Sequence, residues 1–210
     1  MLKIKRQNRV LSPKGIFGAG TGTVCFGWKG GIGTSSRVLP KSLGGYTVGV
    51  LVQTNFDGVL QIDGVPIGKE LNQYYLKDEL DQQADGSCMI VIMTDAPLES
   101  RNLERLAKRA IIGLAKTGGI ASNGSGDYVI AVSTAESVRV KSDAAPVKKI
   151  EVLKNRAMSP LFMATIEATE EAIINSIFAA ETMEGRDGHV IEALPVEKVL
   201  ELMKKYGRVR

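Results

Sequence analysis

The segment of this chain best suited to chemistry is Asn123-Gly124-Ser125-Gly126-Asp127. A serine hydroxyl is a weak nucleophile until a base takes its proton, and that base is most often an imidazole. The chain has one histidine, His189, in the polar run Glu184-Gly185-Arg186-Asp187-Gly188-His189, which reads as a surface turn. Ser125 has another route to activation. It sits between glycines just ahead of the strand-like residues 128–134, so a backbone self-cleavage before it would expose it as a new N-terminus. A free α-amine titrates at about 7.7–8.0, so the amine of Ser125 could take the hydroxyl proton near neutral pH without a histidine. The plainer alternative is a turn, because Asn-Gly is a strong hairpin signal. Asn123-Gly124-Ser125 also fits the N-glycosylation pattern, which needs a secretory context that the sequence does not supply.

The elements that must position this segment follow from periodicity. Residues 47–53 form a β-branched run that reads as a buried strand, and residues 88–94 form a second, fully apolar one. Between them Asp63-Gly64 signals a hairpin, and residues 70–85 read as a variable excursion. Leu103, Leu106, Ala107, Ala110, Ile111 and Leu114 recur at helical spacing, and Gly118-Gly119 ends that helix. Residues 128–134 give a third buried strand, and residues 135–156 a charged loop or ragged hairpin. Ser159-Pro160 reads as a hydroxyl cap opening a helix whose inner face carries Phe162, Ile166, Thr169, Ile173, Ile177 and Ala180. A last helix covers about 196–206. The glycine-rich residues 18–37 show no leading strand and no phosphate-loop Gly-Lys-Ser/Thr, which argues against nucleotide binding.

Bulk properties exclude several classes. With 210 residues, a net charge of +4 and 23 glycines, the chain suits one soluble, layered domain with a site built from loops. No apolar run approaches the roughly 18–20 residues of a spanning helix, so the expectation is a cytoplasmic protein with no membrane partner. Cys25 and Cys88 lack metal-ligand spacing and read as buried free thiols, so no metal and no cofactor is expected. The basic tail Lys204-Lys205-Tyr206-Gly207-Arg208-Val209-Arg210 reads as a solvated helix terminus, with no nucleic-acid partner expected.

Several collinear stretches carry a resemblance: residues 18–37 with Gly33-Thr34-Ser35-Ser36-Arg37, residues 46–56, Thr94-Asp95-Ala96-Pro97-Leu98, Asn123-Gly124-Ser125-Gly126-Asp127 and Ala168-Thr169-Glu170-Glu171-Ala172-Ile173. Together they resemble the L-aminopeptidase/D-amidase-esterase and β-peptidyl aminopeptidase family of self-processing N-terminal serine hydrolases. The resemblance implies an α+β fold, an αββα four-layer sandwich of the N-terminal-nucleophile type, incomplete at its N-terminus. Residues 1–17 are expected to be an unmatched segment and residues 18–210 a single domain, cleaved between Gly124 and Ser125. It further implies that Ser125 is the nucleophile, with Thr165 and Glu167 in support, acting on small N-terminal residues of peptides, amides or esters.

Asn55, at the end of a strand, is a side-chain candidate for stabilising the oxyanion; its plainer reading is a turn former before Asp57-Gly58. Without the family, Glu167 and Glu171 form an i, i+4 pair of the kind found on solvated helix faces. A family tyrosine hydroxyl falls near Phe26, where this chain has none. The expected partners are a small peptide or amino-acid amide or ester, and either further copies of the chain or a polypeptide supplying the N-terminal part. Two alternatives remain: an acyltransferase of the ornithine acetyltransferase type, and an inactive truncated or assembly subunit.

Overall fold

Alternating burial along one long strand sets the architecture. In β4 (Thr47–Asn55), Val48, Val50, Val52 and Thr54 are buried while the residues between them are partly exposed, the period-two pattern of a sheet covered on one face. The computed structural model describes residues 14–77, 86–140, 147 and 149–209. Two short strands, β1 (Val24–Cys25) and β2 (Trp28–Lys29), pair with each other ahead of the main sheet. That sheet has the order β3-β4-β5-β6, with β3 (Ile32–Val38) and β5 (Ser87–Thr94) antiparallel to β4, and β6 (Tyr128–Ser133) parallel to β5.

The parallel step requires a crossover. Part of it is α2 (Ser100–Lys116), after the one-turn α1 (Ile67–Glu70). The Glu99 carboxylate accepts from the Arg101 and Asn102 amides, placing an anion at the N-terminus of α2. α3 (Ser159–Phe178) lies across β3 and β4 and against α2, while α2 also meets β6, so both helices share one face of the sheet. Their core is continuous through Val50, Ile90, Ile92, Leu106, Leu114, Leu161 and Ile173. Gly33 and Gly113 are the contact points: a Cβ on either would come within 2.6 Å of the α3 backbone, at the carbonyls of Ala172 and Ile166. A small hairpin, β7 (Met183–Glu184) with β8 (Val190–Ile191), and α4 (Val196–Lys205) complete the described chain.

The described residues thus supply one main sheet and one helical layer, two of the four layers of the expected sandwich. The other sheet face is apolar and open, with Met93 46%, Ile130 55% and Tyr128 64% exposed. It is the side on which the second sheet of an αββα sandwich stacks.

Several local expectations are corrected. β3 lies inside the glycine-rich block; Gly33, Ser35 and Ser36 disguise it, yet α3 demands a bare backbone at Gly33. Among the described residues β6 is an edge strand with Tyr128, Ile130 and Val132 exposed and Val129 and Ala131 only partly buried, not a fully buried one. Of the expected inner face of α3, Thr169, Ile173 and Ile177 are buried, as is Ala180 just beyond its end, but Phe162 and Ile166 are only partly buried, and Leu161 and the small residues Ala164, Ala168, Ala172 and Ser176 share that face. Ser159 makes no capping bond, and Met158 holds the cap position. The hairpin at Asp63-Gly64 forms as expected, both residues at positive φ and Ile62 bridged to Val65. Parts of the expected loops, residues 78–85, 141–146 and 148, lie outside the described residues.

Candidate active site

Register brings three strand ends together. Asn55, the last residue of β4, pairs with Ser87, the first of β5, and Met89 pairs with Tyr128 at the start of β6. Ser87, Cys88 and the segment 125–127 are therefore neighbours at one end of the sheet. The chain reaches that end through a turn in which the Ser125 amide donates to the Ser122 carbonyl at 2.8 Å, so Asn123 and Gly124 occupy the bend. The Gly126 amide then donates to Ser87 Oγ at 2.9 Å.

The hydroxyl of Ser125 donates to Asp127 Oδ2 at 2.9 Å, and the other carboxylate oxygen accepts from the Cys88 amide at 2.8 Å. Asp127 is thus tied to the sheet on one side and holds the serine on the other. Asn55 commits its Oδ1 to the Val24 amide at 2.9 Å, so what it can offer a reacting group is its NH2, a donor. The glycine-rich loop behind Val24 is clamped by Lys29. Its buried Nζ donates to the carbonyls of Gly20, Thr23 and Gly30 at 2.7–3.0 Å, and burial lowers its pKa.

Thr165 and Glu167 do not join this cluster. The Thr165 hydroxyl is fully buried and donates to the Leu161 carbonyl one turn back along α3. Glu167 accepts from Arg37 Nε at 3.2 Å, and Glu171 is paired with the same guanidinium at 2.5 Å and accepts from Ser35 at 3.0 Å. This buttress, rather than a solvated helix face, accounts for the i, i+4 glutamates. Arg37 pairs with Val48 near the start of β4, whereas Asn55 is its end. That strand spans roughly 25 Å at the usual rise per residue, so the expected support for Ser125 from Thr165 and Glu167 is not assembled.

Phe26 is buried at φ +53° and meets Phe56 edge-on, with ring centroids 5.0 Å apart. Cys25 and Cys88 are buried free thiols, and desolvation pushes both pKa values up, which keeps them protonated and inert. His189 is exposed beside the β7–β8 turn. Among the described residues no His, Cys, Asp and Glu set could hold a metal ion, and no helix is long and apolar enough to cross a membrane. Asp127, Ser87, Arg37 and Lys29 received no role from sequence reasoning. Only Asp127 had a legible signal, its i, i+2 spacing from Ser125, which in extended chain places two side chains on one side.

The helix-backed sheet, with Ser125 in a glycine-flanked turn at one end, matches the Ntn hydrolase fold of a solved structure. The chain belongs to peptidase family S58, whose model matches residues 4–191. It is 42% identical to β-peptidyl aminopeptidase BapA of Sphingosinicella microcystinivorans over 93% of this chain and 52% of that protein. Its structure is similar to the PH0078 protein from Pyrococcus horikoshii OT3, with a TM-score of 0.83 and 49% identity over 94% of this chain and 54% of that one. It is also similar to the L-aminopeptidase D-Ala-esterase/amidase of Ochrobactrum anthropi, described as a prototype serine aminopeptidase and a variant of the Ntn hydrolase fold. There the TM-score is 0.83 and the identity 35%, over 95% of this chain and 54% of that one. The chain spans about half the length of the curated relatives it matches. These peptidase matches do not favour the acyltransferase alternative.

Proposed function

We propose that this chain carries the nucleophile-bearing part of a self-processing aminopeptidase or amidase. In this reading the Gly124–Ser125 bond is cut by the chain itself, and Ser125 then releases small N-terminal residues from peptides, amides or esters, its own α-amine serving as base. The observation that carries it is the Ser125 hydroxyl held against a carboxylate, next to a glycine turn, just before the start of β6. Asn55, at the same sheet end with its oxygen already engaged, is assigned to the oxyanion. The substrate class is supported by the names of the relatives, one a β-peptidyl aminopeptidase and one an L-aminopeptidase and D-Ala-esterase/amidase. Thr165 and Glu167 are assigned structural roles in the helical layer. The open sheet face is assigned to further polypeptide, from other copies of the chain or from a partner.

Intact mass tests the first step: two fragments meeting at Gly124/Ser125 are expected, and a single species of full length overturns self-processing. Ser125→Ala should abolish both that cleavage and turnover of p-nitroanilides of small amino acids. Turnover surviving the substitution would remove Ser125 from the mechanism.

A further inference from the structure

Before cleavage Ser125 has no α-amine, because its nitrogen is acylated by Gly124. The base that serves the finished enzyme is absent during the step that creates it, so the uncut chain needs another. Other candidates are engaged elsewhere: Glu167 and Glu171 pair with Arg37, the Lys29 ammonium has carbonyl acceptors for all three protons, and both thiols are buried and protonated. The carboxylate in contact with the reacting oxygen is Asp127, with Ser125 Oγ at 2.9 Å from Oδ2. Its other oxygen is anchored by the Cys88 amide, which stops the carboxylate from turning away.

Resting on the assignment of Gly124–Ser125 as the cleaved bond, we propose that Asp127 is the catalytic base of self-cleavage. Asp127 takes the Ser125 hydroxyl proton as Oγ bonds to the Gly124 carbonyl carbon, closing a five-membered ring. The carbon–nitrogen bond then breaks and the proton passes from Asp127 to the departing nitrogen, leaving a Gly124–Ser125 ester and a free α-amine. Water hydrolyses the ester to a Gly124 carboxyl group and the Ser125 hydroxyl. The sum is the addition of one water with no change of oxidation state. Once the amine exists the proton has a second acceptor, so the demand on Asp127 belongs to maturation above all.

Asp127→Asn keeps an oxygen for the Cys88 amide and removes the base. Followed by intact mass on the full chain, its cleavage should be slower than wild type by at least about 100-fold, the lower range for a positioned general base. Hydroxylamine, which traps esters as hydroxamates, should accelerate cleavage of wild type but not of Asp127→Asn, because the ester does not form. Should Asp127→Asn lose the wild-type thermal midpoint, Asp127→Ala with added formate takes its place: faster cleavage in formate than in chloride of equal ionic strength supports the base, and no acceleration overturns it. Asp127→Asn cleaving at the wild-type rate, or rescued by hydroxylamine, overturns the assignment while leaving self-cleavage intact. A wild-type chain that never cleaves overturns self-cleavage and Asp127 with it, and is distinguished by that control alone.

Discussion

On one face of the central sheet Val50, Val52, Ile90 and Ile92 are at most 3% exposed beneath α2 and α3, while on the other Met93, Ile130 and Tyr128 are 46–64% exposed. Along β5 and β6 both faces are apolar, and they occupy alternate positions of those strands. A sheet that must face water on one side shows polar residues there; one apolar on both sides is built for layers on both. The difference between the faces therefore lies in what covers them, and the described chain supplies only the helical side.

The largest effect that could break this comparison comes from charging each face in turn. Ile92→Asp should destabilise by more than about 4 kcal/mol or prevent folding, whereas Ile130→Asp should stay within roughly 0.5 kcal/mol in this chain. Equal losses in chemical denaturation would mean that the open face is covered in solution. Lys29→Met comes next, because the glycine-rich loop at the candidate-site end of the sheet is held by polar bonds as well as by burial. Leaving three carbonyls without their donor should lower stability by about 2 kcal/mol.

The same residue gives a pH test. Its folded pKa lies below that of the unfolded chain because of desolvation, so the unfolded chain binds more protons as pH nears the ordinary lysine value. Wild-type stability should rise relative to Lys29→Met as pH climbs from the lowered value toward 10.5. An opposite slope would refute the desolvated ammonium. The smallest effect is expected at Thr165, within the covered layer. Thr165→Val should change stability by less than about 1 kcal/mol and leave turnover intact, and a folded variant without turnover would restore its catalytic role.

Legibility tracked how local each signal was. β4, β5 and α2 stood out because their apolar periods are long and unbroken, and Asn123-Gly124 announced its turn. β3 did not, since Gly33 is there to admit the α3 backbone and not to make a turn. Residues Phe162 and Ile166 suggested a face of α3 that the close approach of β3 and α2, through Gly33 and Gly113, gives to Ala164, Ala168 and Ala172 instead. Glu167 and Glu171 looked solvated because their partner, Arg37, comes from a strand distant in sequence.

By itself the order of residues determined the strands with the longest apolar runs, the glycine-flanked serine and the family resemblance, all of which rest on neighbours along the chain. The tertiary structure alone decided that Asn55, Ser87, Ser125 and Asp127 meet, and that Thr165 and Glu167 stand apart with the helical layer. Pairing register and helix docking make those decisions, because they depend on contacts between segments far apart in sequence, which no local pattern records.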